Sequence, residues 1–250
     1  MKQTNILITN DDGIDSPGLR KLAEAAGRFG RVWVVAPDGQ RSAMSHSFTY
    51  RASISVKQVD FGMEGVTAWS CDGKPADCVR LGALKLLPEK PDFVMAGINT
   101  GYNICHDVQY SATIGAVMEG ALWGIHSIAF SQGDAAYQDV VDRYLVELME
   151  ECMNSPLEQG HVWSINFPCC ALADCKGVKR ECRVSMDTYY ADHYEEVLPE
   201  DSEPSSEFLS GQEVRSFRLV PERIWKGSEG TDLGAVLDNY VAVGKVSNLC

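Results

Sequence analysis

Oxygen-bearing side chains follow three predicted strands in the N-terminal half of the chain. They belong to Asn10, Asp11, Asp12, Ser42 and Asn99. Two adjacent carboxylates, a hydroxyl and a side-chain amide are hard oxygen donors, which suit Mg²⁺, Mn²⁺ or Ca²⁺ better than zinc. A cation held in this way keeps coordination positions for water and for a phosphate oxygen. The pattern therefore predicts a site for a divalent cation and an anionic ligand.

A predicted helix start supplies a second feature that favours an anion. Ser111 is a strong N-cap residue and Thr113 lies in the first turn, where free backbone N–H groups meet the positive end of the helix dipole. The whole chain carries 22 basic and 35 acidic residues, a net charge of −13. This balance disfavours nucleic acid or a membrane surface as a partner, so an anionic ligand needs local compensation.

Each of these features also has a purely structural interpretation when it is taken alone. Adjacent aspartates after a strand often form a turn or a cap, and Ser111 could serve only as an N-cap. Ligands of an open parallel sheet, however, bind beyond the carboxyl ends of its strands. The acidic pair and Asn99 both fall at such ends, and we therefore treat the candidates as one site.

The elements that position these residues alternate between strands and helices. Predicted strands cover residues 5–9, 32–36, 92–96, 127–131 and 162–167, and predicted helices begin at Pro17, Pro75, Ser111 and Val140. The segment 47–71 alternates β-branched and polar residues, which predicts an inserted hairpin. Strands joined by crossover helices form a parallel sheet, so the fold class is α/β with a doubly wound sheet.

The composition changes after Pro168. Residues 187–212 are rich in acidic residues, serine, proline and tyrosine, and a helix and a strand are predicted again within 231–246. The sequence therefore divides into a catalytic domain of residues 1–186, an extended arm of residues 187–229 and a returning C-terminal segment of residues 230–250. The arm is too aromatic for a solvated loop, which predicts that it packs against another subunit in a homodimer or tetramer.

The cysteines and the apolar segments bear on the compartment. No stretch has the apolar length of a membrane span, and no export signal is recognisable, so a cytoplasmic location is expected. Nine cysteines are then more consistent with reduced thiols than with a disulfide framework. A zinc site is the alternative for one group, but that group lacks paired C-x-x-C spacing. Its members are His161, Cys169, Cys170, Cys175 and Cys182.

Four ordered segments resemble the successive motifs of the SurE nucleotidases. They are ILITNDDGIDSPG (6–18), RSAMSHSFT (41–49), DGKPADC (72–78) and PDFVMAGINTGYNICHDVQYSATIGAVMEG (91–120). A fainter match includes Thr231, Asp232 and Tyr240. The likeness is dense over the first half of the chain and weak beyond it.

The resemblance implies a Rossmann-like, mostly parallel sheet with an extended C-terminal dimerisation arm. It implies hydrolysis of nucleoside 5′- and 3′-monophosphates with one Mg²⁺ or Mn²⁺ per subunit, which Ca²⁺ could replace. Asp11, Asp12, Ser42 and Asn99 fall on the metal ligands of the family, and the acidic pair with Asn10 falls on its catalytic group. The phosphate and substrate positions correspond to Gly97, Asn103, Asp107, Ser111 and Thr113.

The sequence also departs from the family pattern. Lys74 stands where the family usually has threonine, Ala96 replaces serine, and Ala112 and Cys105 replace glycine. Few of the arginines expected in the arm are present. If the backbone at Cys105 has a positive φ angle, a strained loop with an exposed thiol beside the phosphate pocket is one expectation, and a buried thiol without influence on the site is the other.

Three other classes of protein compete with this interpretation. A haloacid-dehalogenase-type phosphatase would need Asp-x-Asp after its first strand, whereas Asp11 and Asp12 are adjacent. A receiver-like regulatory module would need an aspartate at a later strand end, where this chain has Asn99. A catalytically impaired relative that binds metal and nucleotide is the third alternative, and the departures from the family pattern keep it open.

Overall fold

A large twisted sheet with helices on both faces forms the body of the protein. The computed structural model describes residues 3–133, 136–197 and 215–247. The strands are β1 (Asn5–Thr9), β2 (Arg31–Pro37), β3 (Val56–Val59), β4 (Thr67–Cys71), β5 (Phe93–Thr100), β6 (His126–Gln132), β7 (His161–Phe167), β8 (Val178–Cys182), β9 (His193–Val197), β10 (Ser216–Val220) and β11 (Val241–Ser247). The helices are α1 (Pro17–Ala26), α2 (Pro75–Leu81), α3 (Ala112–Leu122), α4 (Asp139–Asn154) and α5 (Asp232–Leu237).

Within the described residues, nine strands pair in the order β3-β4-β2-β1-β5-β6-β7-β11-β8. The neighbours from β4 to β7 are parallel, whereas β3 pairs with β4 and β11 with β7 in antiparallel fashion. Helices α1 and α4 cover one face and α2 and α3 the other. Strand β1 is therefore apolar on both sides: the fully buried Ile6 and Ile8 pack on the first face, and the fully buried Leu7 packs on the second. The predicted doubly wound, mostly parallel α/β fold is confirmed.

Two element boundaries close to the candidate site differ from the sequence prediction. Strand β5 continues to Thr100, so Asn99 lies inside the strand and not after it. Helix α2 ends at Leu81 and continues as a π-helical turn, in which Gly82 packs so closely on Leu7 that an added Cβ would lie 2.7 Å from its side chain. The predicted hairpin is present as β3 and β4, and β4 extends the parallel sheet beside β2.

The C-terminal third contributes two separate parts. Strands β9 and β10 form an antiparallel ribbon apart from the main sheet, and residues 198–214 between them lie outside the described residues. Helix α5 and strand β11 return to the body, where β11 pairs with both β7 and β8. The division at residues 186 and 229 and the oligomerisation role of the arm stay predictions. No helix in the described parts of the chain combines the length and the apolar character needed to cross a membrane.

Candidate active site

The loop after β1 is shaped by its first residue. The fully buried Asn10 donates its Nδ2 to Gly13 O at 2.9 Å and accepts the Gly13 N–H at 3.2 Å. Gly13 has a φ angle of +101°, and a Cβ there would lie 3.1 Å from the backbone of Gly39. Glycine therefore permits the loops after β1 and β2 to approach each other. Asn10 uses its amide to hold this turn, and its catalytic role stays a prediction.

Backbone hydrogen bonds join the loop after β2 to the acidic pair. Arg41 N–H donates to Asp11 O at 2.7 Å, and Ile14 N–H donates to Pro37 O at 2.8 Å. Ser42 follows directly, is exposed, and its Oγ accepts from Gln40 Nε2 at 3.1 Å. The hydroxyl of Ser42 is thus carried by a loop that is fixed to the backbone of the first carboxylate residue.

The end of β5 meets the same loop from the other side. Thr100 N–H donates to Asp12 Oδ2 at 3.4 Å, and Asn99 Nδ2 donates to Gly101 O at 2.8 Å. Among the described residues, Asn99 Oδ1 has no hydrogen-bond donor, so this oxygen is available to a cation. Gly97 packs closely on the next strand, because a Cβ on it would lie 2.2 Å from Phe130 O, and its predicted role in the site stays a prediction.

Helix α3 begins at the carboxylate of Asp11. Ser111 is the N-cap, as predicted, and its Oγ accepts the Ile114 N–H at 3.0 Å. Thr113 Oγ1 donates to Asp11 Oδ1 at 2.5 Å, and the Thr113 backbone also hydrogen-bonds to this carboxylate. The positive end of the helix therefore lies against the acidic pair, and both side chains expected to bind phosphate already make protein contacts.

The acidic pair is electrostatically unfavourable without a cation. Burial, followed by the neighbouring charge of Asp12, raises the pKa of Asp11 to about 6 against the opposing hydrogen bond from Thr113. Burial also raises the pKa of Asp12. Arg41, whose backbone N–H contacts Asp11 O, has its guanidinium paired with Asp38 at 2.6 Å. One carboxylate is buried and the other is half-buried. Together with the hydroxyl of Ser42 and the amide oxygen of Asn99, they fit a hard divalent cation.

Two other predicted site residues are not joined to the acidic pair by any hydrogen bond among the described residues. Asn103 donates its Nδ2 to Ser131 Oγ at 2.7 Å, and its backbone N–H donates to Asn166 Oδ1 at 2.9 Å. Asp107 has its Oδ2 buried without a partner, and burial raises its pKa. Asn103 thus braces the loop after β5, while the substrate role of both residues stays a prediction.

Sequence reasoning missed Asn166 and Ser131. Strand pairing places Asn99, Ser131 and Asn166 in one row across β5, β6 and β7. The signal was present, because Ser131 and Asn166 are polar residues close to the carboxyl ends of β6 and β7. The polar row extends the candidate site across the sheet.

A buried carboxylate in α3 was also missed. Glu119 is 3% exposed and accepts hydrogen bonds from His46 Nε2 at 2.8 Å, Arg80 Nη1 at 2.9 Å and Trp123 Nε1 at 2.8 Å. These contacts tie the segment after Ser42 to α2 and α3. A glutamate in an apolar helical run, four residues before a tryptophan, was the available signal.

Cys105, which stands where the family has glycine, is buried. Of the two expectations for its thiol, the exposed one is therefore not met. The φ angle of Cys105 is +58°, which is the positive value expected for a glycine position. The side chain, however, is fully buried, and burial raises its pKa to about 12. Cys105 N–H donates to Asp232 Oδ2 at 3.0 Å, and this bond anchors the loop to α5. The Cys105 side chain packs in a small hydrophobic cluster. The expectation of an exposed, reactive Cys105 is therefore wrong.

The departure at Lys74 has little structural effect on α2. Asp77 Oδ2 accepts the Lys74 N–H at 3.0 Å, so the reciprocal half of a capping box is retained. The same carboxylate accepts from Thr49 N at 2.9 Å and Thr49 Oγ1 at 2.8 Å. Asp77 therefore also fixes the end of the segment that follows Ser42.

The cysteines of the alternative zinc site differ in their exposure. Cys169 is exposed, Cys170 and Cys182 are buried, and Cys175 is half-buried. In residues 3–133, 136–197 and 215–247, no three His, Cys, Asp or Glu side chains are grouped as a metal site. The candidate cation site has only two carboxylates, and its other oxygens come from Ser42 and Asn99.

We expect Thr113→Val to lower activity about 10–100-fold without unfolding the protein, because it removes the hydroxyl that orients Asp11 and leaves the volume unchanged. Steady-state kinetics of the wild type and the variant under identical conditions would measure the loss. Thermal unfolding of the same variant would test the fold. Wild-type kinetics in the folded variant would contradict a positioning role for Thr113.

The fold and the site together define an α/β protein of the Rossmann-like type with hard oxygen donors at its strand ends. The family model described as "Survival protein SurE" matches residues 6–191. The chain belongs to the SurE family, and the resemblance in its motifs is confirmed.

Relatives and a solved structure match almost the whole chain. The 5′-nucleotidase SurE of Synechococcus sp. (strain JA-3-3Ab) is 42% identical over 244 residues, which cover 96% of this chain and 90% of the relative. The 5′-nucleotidase SurE of Clostridium botulinum (strain Loch Maree / Type A3) is 35% identical over 243 residues, with 96% and 91% covered. The crystal structure of the SurE protein from Aquifex aeolicus has a TM-score of 0.79 at 32% identity and covers 98% of this chain and 94% of that one.

Proposed function

We propose that this protein is a phosphoric monoester hydrolase that releases phosphate from nucleoside 5′- and 3′-monophosphates with the help of one divalent cation. The observation that carries the proposal is the convergence of the loop after β2, the end of β5 and the N-terminus of α3 on the Asp11–Asp12 pair. The names of the relatives, 5′-nucleotidase SurE, support the same activity. Mg²⁺ or Mn²⁺ is the proposed cation, and Ca²⁺ could take its place.

The residues of the chain have separate tasks in this proposal. Asp11, Asp12, Ser42 and Asn99 would hold the cation, which when bound neutralises phosphate charge and lowers the barrier to hydrolysis. Thr113 orients Asp11, and Arg41 N–H fixes the backbone beneath it. The N-terminal turn of α3 stabilises the carboxylate through its dipole. Asn10 and Gly13 set the loop shape that brings these groups together.

The proposed substrate is small, because the acidic surface of the chain opposes a polyanion. A net charge of −13 repels nucleic acid and anionic membranes over distances of about a Debye length, whereas a single phosphate can be compensated locally. Nucleic acid and membrane are therefore not proposed as partners, and a cytoplasmic location remains part of the proposal.

Phosphate release from a panel of nucleotides tests the proposal directly. We expect hydrolysis of 5′- and 3′-monophosphates with Mg²⁺ or Mn²⁺, loss of activity in EDTA, and recovery when the metal is returned. Binding of nucleotide and Mn²⁺ without phosphate release would identify the impaired relative instead. Activity that persists after exhaustive chelation would contradict the metal assignment, and hydrolysis of 5′-monophosphates alone would remove the 3′-activity.

We further propose that the arm makes the protein at least a homodimer. Tyr194, Phe217, Leu219 and Trp225 are between 47% and 69% exposed on and beside the ribbon of β9 and β10. A two-stranded ribbon is marginally stable alone, so a covering partner would stabilise it. Light scattering at micromolar concentration should return a mass of two or four chains. A mass close to the 27.4 kDa of one chain would contradict this.

A further inference from the structure

The segment that carries Ser42 has an unfavourable backbone conformation. Ala43 and Ser45 have φ angles of +57° and +52°, in the left-handed region that residues with a side chain disfavour. Ser42 lies directly before the first of them and is exposed. Because such a conformation persists only where neighbouring contacts hold it, the contacts of this segment determine where the Ser42 hydroxyl lies.

Helix α3 supplies contacts to this segment at its start and in its first turn. Ser45 N–H donates to Tyr110 O at 3.0 Å, directly before the N-cap of the helix. Gly115 faces the same segment, and a Cβ on it would lie 2.3 Å from Ser45 O and 2.8 Å from the Cα of His46. The glycine therefore allows the segment to lie directly on the helix.

His46 joins the segment to Glu119, one turn beyond the glycine in α3. His46 Nε2 lies 2.8 Å from Glu119 Oε2, and the same carboxylate accepts hydrogen bonds from Arg80 and Trp123. The imidazole is half-buried, whereas Glu119 is 3% exposed. The bond therefore connects a strained segment to a buried group that has other partners to fix it.

The same helix also holds the acidic pair, because Thr113 donates to Asp11. Thr113 and Glu119 lie about 9 Å apart along the helix axis. One element thus contacts both the first carboxylate and the segment after Ser42, so it fixes their relative position. At the near end, Arg41 N–H donates to Asp11 O at 2.7 Å and completes the connection.

We propose that His46 is a positioning residue, whose bond to Glu119 holds the strained segment on α3 and so keeps the Ser42 hydroxyl at the proposed cation site. His46 itself contacts neither cation nor substrate in this scheme. Loss of the bond lets Ala43 and Ser45 return to ordinary backbone angles, and Ser42 moves away from the carboxylates. The role of Ser42 rests on the proposed function, whereas the contact of the segment with α3 does not.

Residue-resolved hydrogen exchange on the whole protein tests the contact. In His46→Leu we expect the amide of Ser45 to exchange about fivefold faster or more, because its hydrogen bond to the start of α3 opens. The amide of Thr49 should keep its rate, since Asp77 holds it independently. His46→Gln keeps a side-chain donor and should restore the wild-type rate. An unchanged Ser45 rate in His46→Leu, or faster exchange over the entire chain, would overturn the proposal.

Binding of Mn²⁺ without substrate tests the consequence for the cation site. His46→Leu should raise the dissociation constant about tenfold, as Ser42→Ala should, and His46→Gln should bind as the wild type does. In the Ser42→Ala background, His46→Leu should have little further effect, because the histidine acts only through the serine. Additive losses, or wild-type affinity in a His46→Leu protein whose Ser45 exchanges faster, would overturn the positioning role.

Two further variants separate position from stability. Gly115→Ala adds a methyl group that displaces the segment without removing the imidazole, so it should reproduce both effects. His126→Leu is the matched control, because His126 is also half-buried and its Nε2 lies 2.9 Å from Cys152 O, but it begins β6, away from the carboxyl ends of the strands. It should change neither measurement. Wild-type behaviour of Gly115→Ala, or equal losses in His126→Leu, would overturn the proposal.

The two measurements also distinguish this proposal from the proposed function. A wild-type protein that binds no Mn²⁺ would contradict the cation site, and the exchange of Ser45 would still decide whether His46 holds the segment on α3. A wild type that binds Mn²⁺ and releases phosphate, with no change of affinity in His46→Leu, would contradict the positioning role alone.

Discussion

Asp12→Asn should lose nearly all phosphatase activity while its stability stays close to that of the wild type. Asp12 is half-buried and accepts one long hydrogen bond, from Thr100 N at 3.4 Å, so the neutral amide leaves no strong buried partner unsatisfied. The substitution does remove a negative ligand from a hard-cation site. We expect kcat/KM to fall about a hundredfold or more, which corresponds to roughly 3 kcal/mol of transition-state stabilisation.

Asp15→Asn provides the matched control for that experiment. Asp15 lies in the same loop and is exposed, so the substitution changes the charge of the chain equally without touching the site. Kinetics with a 5′-nucleoside monophosphate and Mn²⁺ should be unchanged in this variant. Equal losses in both variants would attribute the effect to net charge, and a fully active Asp12→Asn protein would remove Asp12 from the metal site.

Glu119→Gln should cause the largest loss of stability among single polar substitutions near the site. The carboxylate is 3% exposed and accepts hydrogen bonds from His46, Arg80 and Trp123. Removing the charge of a buried, fully bonded partner weakens every one of these bonds and leaves Arg80 without its counter-ion. We expect the free energy of unfolding to fall by about 2–4 kcal/mol at pH 7, measured by urea denaturation.

The exposed pair of Arg143 and Glu147 supplies the control for this substitution. Their side chains meet at 2.8 Å but are 52% and 51% exposed, so Glu147→Gln should cost about 0.5 kcal/mol or less. Equal effects of the two substitutions would show that the burial of Glu119 is energetically unimportant.

The stability difference between Glu119→Gln and the wild type should also depend on pH. Burial alone would raise the pKa of Glu119, but the bonds from His46 and Trp123 and the charge of Arg80 hold it below its usual value. A depressed folded-state pKa contributes stability that is complete above the unfolded pKa, about 4.3, and is lost as the pH falls through the folded value. The difference between the two proteins should therefore shrink in acid, and a constant difference would contradict the assignment.

The regular part of the fold was accessible from the sequence because its local signals agree with the tertiary packing. Strand β1 is a buried apolar run, and Ser16-Pro17 and Ser111 begin helices where capping chemistry predicts them. The end of β5 was predicted too early, at residue 96, whereas the strand continues to Thr100. In the structure Gly97 continues the strand, because β6 comes too close for any side chain.

The candidate site was accessible as a set of residue types but not as a set of contacts. The predicted strands placed Asp11 and Asn99 at the carboxyl ends of two strands, yet the hydrogen bond from Thr113 to Asp11 joins residues 102 positions apart. Such a bond depends on the packing of α3 over the sheet. The sequence left open whether the Cys105 thiol is buried or exposed, because its loop is anchored by Asp232 near the other end of the chain.

The position of β11 between β7 and β8 determines the order in which the strands can pair during synthesis of the chain. Strand β8 pairs with β11 in the main sheet, although about 60 residues of chain separate the two strands. During translation, β1 to β7 can assemble as they emerge, whereas β8 can join the sheet only after β11 has emerged. Until β11 pairs with it, the edge of β7 is open to pairing with another chain, so β11 is the strand that closes this edge of the sheet.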